Sequence, residues 1–319
     1  MIEGRGITKT FGKSVKALRG VDFAIPRGGA VSFIGESGCG KTTLGRILAG
    51  LESYDGGQLL RDGKTLKGGE FRRIQLIHQD PYSALNPTRT VESTLRDPLR
   101  LRAKQTGRGE AWISSRVEQL LSLVGLNPGY VLERYPHQLS GGMRQRVVVA
   151  RALTVDPEVL VADEAVSMID VSLRLGILGL LRSLRETLGV SVLFITHDVA
   201  TARYVGVEGE LYVIYRGAVV ERGPVETVLT DPVHPYTQCL LSAIPVLHGL
   251  EKPGPDRLVP SEPLDERTDP PGCLFAPRCP FANPVCVEQP PPLGRLGHTP
   301  QDHACLFPAS RHVVAVPLG

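Results

Sequence analysis

Short apolar runs separated by turns fill the first eighty residues. Residues 2–11 and 19–25 alternate loosely, through Ile2, Gly4 and Gly6 and then Val21, Phe23 and Ile25, which predicts two β segments. Ala30–Ile34 is apolar except for Ser32 and predicts a short buried strand. Leu44 to Leu51 predicts a helix ended by Gly50. Asp55-Gly56-Gly57 and Asp62-Gly63 bracket Gln58-Leu59-Leu60 as a hairpin, and Ile74–Ile77 is a further strand leading to Gln79. Between 88 and 130 the period changes. Val91–Lys104 and Ala111–Val124 carry helical spacing, as in Val117, Leu120, Leu121 and Val124, with Pro98 expected to kink or interrupt the first. Val147–Leu153 predicts an apolar helix, Val159–Ala162 a buried strand, residues 173–188 an amphipathic helix and Val190–Ile195 another strand. Tyr212–Gly217 and Val219–Gly223 predict a closing hairpin. Strands alternating with helices imply a parallel sheet covered on both faces, with chemistry at the carboxyl ends of its strands.

After residue 250 the pattern stops. Of the 26 prolines, 15 fall in residues 251–319, which predicts neither long helices nor a central strand and places a boundary near Leu250. At 319 residues the chain has room for one large domain with an appendage. A net charge of +3 is too mild to indicate nucleic acid. No apolar run approaches the roughly 20 residues of a membrane span, and the first residues lack the apolar core of a signal peptide. Arg96, Arg100, Arg102, Lys104 and Arg108 make one helical stretch basic, which reads as a solvated face; contact with an acidic partner or anionic headgroups is the alternative.

The strand at 30–34 and the helix after it flank Gly35-Glu36-Ser37-Gly38-Cys39-Gly40-Lys41-Thr42-Thr43, a G-x-x-x-x-G-K-[ST] phosphate loop. Its glycines let backbone N–H groups turn toward phosphate oxygens at a helix N-terminus. Lys41 can reach the β- and γ-phosphates and Thr42 can hold Mg²⁺, while Cys39 reads as a small filler. Asp163 ends an apolar strand and can bind Mg²⁺; Glu164 beside it can polarise the attacking water as general base. Two adjacent carboxylates are most comfortable with a cation between them. Gln79 can touch metal and water, and His197 can donate to the γ-phosphate. Phe11 can stack on a base, or cap the sheet. Ser140-Gly141-Gly142, entering a helix, makes a second anion cradle. One ATP does not need two cradles from one chain, so this turn is expected to close over ATP held by another.

Gly35–Thr43, Gln79, Leu139–Gln145, Val159–Glu164, Ser167-Met168-Ile169-Asp170 and His197 together resemble the ATP-binding-cassette ATPases, over roughly residues 2–250. By that resemblance they are Walker A, Q-loop, signature, Walker B, D-loop and H-loop. Ala165 stands where many members have proline, and Phe11 matches the adenine-stacking aromatic. The implied fold is α/β: a P-loop NTPase-type parallel sheet, an antiparallel β subdomain, a helical subdomain at about 85–155, and a Pro/Cys-rich extension over 251–319. Gln79–Pro87, Arg134–Leu139, His234-Pro235-Tyr236-Thr237 and Gly272–Pro280 further resemble the oligopeptide/dipeptide (and nickel) importer ATPases. That resemblance implies an ATP-hydrolysing motor at the cytoplasmic face of the membrane. Its partners would be a second ATPase subunit, identical or paralogous, two permeases and an extracytoplasmic binding protein. Peptide is the implied cargo, with nickel or another small solute as the alternative. A soluble cassette acting on ribosomes or DNA fits less well, because this chain has one cassette and no heptad run.

Cys39 and Cys239 are isolated, whereas Cys273, Cys279, Cys286 and Cys305 share a proline-rich segment with little core of its own. Their spacing, C-x5-C-x6-C-x18-C, lacks the short C-x2-C of common zinc ribbons. In a reducing compartment a metal staple fits better than disulfides, either a [4Fe–4S] cluster or tetrahedral Zn²⁺. The family resemblance implies the cluster. His298 and His303 read as surface residues, with substitute ligands for the cysteines as the alternative.

Overall fold

The computed structural model describes residues 1–167, 169–206, 208–243, 260, 269–295 and 300–308. Met168, His298 and the boundary at Leu250 lie outside the described residues. In chain order the elements begin with β1 (Ile2–Phe11), β2 (Val15–Ile25), β3 (Ala30–Ile34), α1 (Lys41–Leu48), β4 (Gly56–Arg61), β5 (Lys64–Thr65) and β6 (Ile74–Ile77). A helical region follows: α2 (Pro81–Ala84), α3 (Val91–Thr106), α4 (Glu110–Leu123), α5 (Pro128–Val131) and α6 (Gly141–Leu153). Then come β7 (Val159–Asp163), α7 (Val171–Leu188), β8 (Ser191–Ile195), α8 (Val199–Gly206), β9 (Glu210–Tyr215) and β10 (Ala218–Pro224). The described remainder holds α9 (Val225–Thr230), α10 (Pro235–Ser242), α11 (Pro284–Glu288) and β11 (Asp302–His303).

Two sheets form. One is antiparallel, ordered β2-β1-β4-β5; the other has seven strands ordered β11-β10-β9-β3-β8-β7-β6, parallel from β9 to β6. The period-2 pleat sorts each parallel strand between two cores. Val159 and Val161 of β7, with Leu193 and Ile195 of β8, face the antiparallel sheet and α1. Leu160 and Ala162, with Val192 and Phe194, face the helices instead. Strands buried on both faces are mostly apolar, and β3, β7 and β8 are buried at every position, with Ser32, Asp163 and Ser191 their only polar residues. Each such leucine or phenylalanine taken from water contributes about 1.5–3 kcal/mol.

Pro98 does not break α3, which runs continuously from Thr90, whose hydroxyl caps it, to the left-handed Gly107. Leu95, Leu99 and Ala103 on its inner face are buried, and this packing outweighs the one backbone hydrogen bond that proline removes. The basic stretch is less solvated than its sequence suggests. Arg96 reaches Glu92, Glu110 and Ser114; Arg102 reaches Asp156 and the Thr154 carbonyl; Arg108 lies over the Trp112 ring at 4.7 Å. No helix among the described residues is long and apolar enough to cross a membrane.

The described part of the extension makes no core of its own; it borrows one. Phe275 is fully buried against Tyr215 and Tyr236, with ring centroids 5.3 and 5.5 Å away. β11 adds an edge strand beside β10, pairing Glu221 with His303. His303 is therefore buried, not a surface residue, because its strand lies on the sheet rather than in solvent. Glu221, wholly buried, accepts from the N–H groups of Val233 and His234 and from the Gln301 amide, at 2.8, 3.1 and 3.2 Å. The packing of Phe275, the β10–β11 pairing and the Gln301–Glu221 hydrogen bond stitch the extension to the cassette without a long element.

Candidate nucleotide site

Register alone gathers the site. In the parallel ladders Asp163 lies opposite Ile195, Ala162 opposite Ile77, and Phe33 opposite Ile195. The next residues along each strand therefore leave the sheet side by side at its carboxyl edge. They are Gly35 after β3, Gln79 after β6, Glu164 after β7 and His197 after β8.

The phosphate loop needs its glycines for space. A Cβ on Gly35 would lie 2.2 Å from the Ile214 carbonyl oxygen; one on Gly40, at φ +106°, would lie 2.3 Å from that of Ala17. Gly40 is the N-cap of α1, so Lys41, Thr42 and Thr43 form the first helical turn. Lys41 is buried, and Nζ donates to the Gly35 and Glu36 carbonyls at 2.8 Å each. Cys39 is buried with its Sγ 3.4 Å from the same ammonium, consistent with a filler.

Thr42 Oγ1 donates to Asp163 Oδ1 at 3.1 Å. Burial pushes the Asp163 carboxyl up to about 6; the Thr42 hydrogen bond opposes the rise and the Glu164 charge adds to it. Glu164 sits at φ +47°, in the left-handed region where a side chain costs roughly 1–2 kcal/mol. Its N–H donates to the Ile195 carbonyl at 2.9 Å and its carbonyl accepts from Ser167 Oγ at 2.9 Å. That turn aims the carboxylate sideways along the sheet edge. There Gln79 Nε2 donates to Glu164 Oε2 at 3.0 Å, and His197 Nδ1 lies 3.2 Å from Oε1. An imidazole that spends Nδ1–H on Glu164 has only Nε2 left to face a phosphate, and donates there when doubly protonated or after turning.

A cavity of about 920 Å³ opens over the loop. Phe11, Gly38, Lys41, Thr42, Thr43, Gln79 and Glu164 line it, and so do Lys16, Arg19, Tyr215, Arg216 and Asp269. The last five were not singled out by sequence, because no local spacing links β2, the β9–β10 turn and residue 269. Phe11 is 40% exposed with Lys9 Nζ 5.1 Å from its ring centre. Ser140, Gly141, Gly142 and Asp170 do not line this cavity. Ser140 caps α6, accepting from the Met143 N–H at 3.3 Å, and is exposed; Asp170 is the exposed N-cap of α7.

The four extension cysteines are half-buried and none of them is in a disulfide. Cys273 N–H donates to the Cys286 carbonyl at 2.8 Å, and Cys286 Sγ contacts Asn283 Oδ1 at 3.6 Å. Burial pushes the Cys305 thiol up to about 11, with charge from Cys273, Cys279 and Cys286 adding to the rise. Cys273 and Cys279 are raised first by burial and then by their thiol neighbours. Among the described residues no group of three or more His, Cys, Asp or Glu side chains is placed to hold a metal ion.

A phosphate loop on a parallel sheet, with paired carboxylates at the next strand end, defines a P-loop nucleotide-binding protein. The profile of the ABC transporter family matches residues 18–167, and that of the oligopeptide/dipeptide transporter C-terminal region matches residues 220–286. The dipeptide transport ATP-binding protein DppF of Haemophilus influenzae is 40% identical, over 88% of this chain and 86% of that protein. The oligopeptide transport ATP-binding protein OppF of Escherichia coli is 38% identical over 90% of this chain and 87% of its own length. A dimeric post-hydrolysis structure of the ATP-binding cassette MJ0796, bound to ADP and Pi, superposes with TM-score 0.61 at 28% identity, over 70% of this chain and 99% of that one. The chain belongs to the ABC transporter family, as one of its ATPases, and carries the C-terminal region of the oligopeptide/dipeptide transporters.

The Asp163 carboxyl makes one property pH-dependent. Its proton is held more tightly folded than unfolded, so its contribution to stability is greatest at low pH and falls as pH rises from about 4 to about 6. A cation held by the Asp163 carboxylate would compete with this proton for the same oxygens. The rise in unfolding temperature caused by Mg–ADP is therefore expected to be small near pH 5 and to grow through about pH 6. Thermal scans of the chain and of Asp163→Asn check this; an equal Mg–ADP shift at both pH values removes Asp163 from metal binding.

Proposed function

We propose that the chain is the ATP-hydrolysing subunit of a peptide importer, working as one of two ATPase subunits at the cytoplasmic face of the membrane. The observation that carries the reading is the Glu164 carboxylate, held between Gln79 and His197 at the sheet edge beside the Thr42–Asp163 pair. Peptide as cargo rests on relatives named for dipeptide and oligopeptide transport at 38–40% identity.

The phosphate loop N–H groups and Lys41 bind the phosphates, and Phe11 stacks on the base. Lys41 must leave the Gly35 and Glu36 carbonyls to do so. Thr42, Asp163 and Gln79 are the hard oxygen donors that suit Mg²⁺, which usually takes one or two carboxylates plus substrate phosphates. When bound, that ion would neutralise charge on the β- and γ-phosphates. Glu164 accepts the proton of the attacking water. Gln79 and His197 hold that carboxylate in place and respond to what occupies the site. Gln79 opens the path to α2 and the helical region, which would meet a permease. Two permeases and an extracytoplasmic binding protein complete the machine.

Ser140, Gly141, Gly142 and Asp170, which do not line this chain's cavity, act on nucleotide held by the second ATPase subunit. The test is a cysteine placed at Ser37 and another at Gly141. Their crosslink should join two chains and increase with ATP; a product confined to one chain overturns the shared site. Residues 1–250 would form the cassette and residues 251–319 the extension. Cys273, Cys279, Cys286 and Cys305 would hold a [4Fe–4S] cluster of structural use, since hydrolysis requires no electron.

A further inference from the structure

Glu36 is an acid inside a loop built to receive polyphosphate. Its backbone is gripped from three directions. Its N–H donates to Tyr236 Oη at 2.8 Å, its carbonyl accepts from Lys41 Nζ at 2.8 Å, and the Cys39 N–H donates to the same carbonyl at 3.3 Å. Its carboxylate accepts two hydrogen bonds from one guanidinium, Arg278 Nη1 at 3.0 Å and Nη2 at 3.1 Å. Arg278 comes from 242 residues along the chain. It ends the single turn Ala276–Arg278, directly before Cys279, and is 9% exposed. Nη1 also lies 3.4 Å from Tyr215 Oη, and the Phe275 ring beside it is locked between Tyr215 and Tyr236. The same side of the extension reaches the cavity rim, where Asp269 pairs with Arg19 and Arg216 at 2.5 and 3.2 Å.

A close carboxylate–guanidinium pair cancels the Glu36 charge beside the loop. Without its partner, the Glu36 carboxylate would stand beside the loop that gathers phosphate and repel it in a half-buried setting. We propose that Arg278 is a positioning residue of the nucleotide site: by neutralising Glu36 it sets the phosphate loop, so the Cys-rich extension is a working part of the ATP site. This rests on the reading of the loop as an ATP site. It assigns the extension a role besides its own folding, because whatever holds Cys279 also holds the residue before it.

The experiment measures binding of a fluorescent ADP analogue with Mg²⁺ to the full chain. Arg278→Ala is expected to weaken binding about tenfold, as removal of one partner leaves an uncompensated charge. Glu36→Gln alone leaves affinity within about threefold, and adding it to Arg278→Ala restores affinity to that range, because the repelling charge is gone. Hydrolysis by Arg278→Ala should show a raised KM with kcat nearly kept, since the Glu164 cluster is untouched. If Arg278 merely secured the extension, the double variant would bind as weakly as Arg278→Ala, and that result overturns the proposal. Should Arg278→Ala lose its cooperative unfolding transition, Arg278→Lys carries the test: it keeps the charge without the fork and should bind within about threefold, and a tenfold loss overturns the proposal. A wild-type chain that binds the analogue but hydrolyses no ATP would overturn the motor and leave the Arg278–Glu36 pair standing.

Discussion

Replacing Glu164 with Gln lowers ATP turnover by about a hundredfold or more while nucleotide binding is retained. The substitution is isosteric, so the left-handed turn at φ +47° and its two backbone hydrogen bonds survive. The new amide oxygen can still accept from Gln79 Nε2, and the amide nitrogen can face His197 Nδ1 in its acceptor tautomer. What disappears is the carboxylate proposed to take a proton from water. A negative charge beside the phosphates disappears with it, so affinity for ATP should hold or rise. Phosphate release and equilibrium binding of ATP, measured on the same preparation, separate the two effects. Turnover within a few-fold of wild type removes Glu164 from the role of base; loss of binding as well would show that the substitution disturbed the loop.

The sequence made the site legible because its parts sit at strand ends, where local pattern and chemistry coincide. Apolar runs at 30–34, 159–162 and 190–195 mark buried strands, and Gly35, Asp163-Glu164 and His197 follow them directly. Ladder register then does the assembly, bringing Gln79 and His197 to opposite sides of one carboxylate. Pro98 does not interrupt α3, because its penalty is local while the burial of Leu95 and Leu99 is tertiary. The burial of His303 is not legible in sequence, because a two-residue strand has no period to read and only pairing with β10 buries it. Arg278 carried no signal for the same reason. A guanidinium 242 residues from its partner is visible in sequence only as one more arginine. The borrowed core under Phe275 likewise depends on Tyr215 and Tyr236, which belong to elements far apart in the chain.

Chain purified without oxygen is expected to be brown and to carry about four irons, with Cys273, Cys279, Cys286 and Cys305 as ligands. Each of these cysteines is half-buried and free of disulfide. Burial holds Cys305 up at about 11 and raises Cys273 and Cys279, so at neutral pH these thiols keep their protons until a metal displaces them. Reconstitution with iron and sulfide should therefore release protons and proceed faster as pH rises. Cys→Ser at any of the four should remove the colour. It should also make the loops around Asn283 and Gly294 sensitive to protease, while Phe275 and Gln301 keep part of the extension docked. The cassette itself should still unfold cooperatively, because its cores lie between the two sheets and under the helices. Colourless anaerobic chain with one zinc would replace the cluster by a zinc staple. Colourless, metal-free chain that resists protease would mean that the borrowed aromatic core and the buried Glu221 contacts hold the extension unaided.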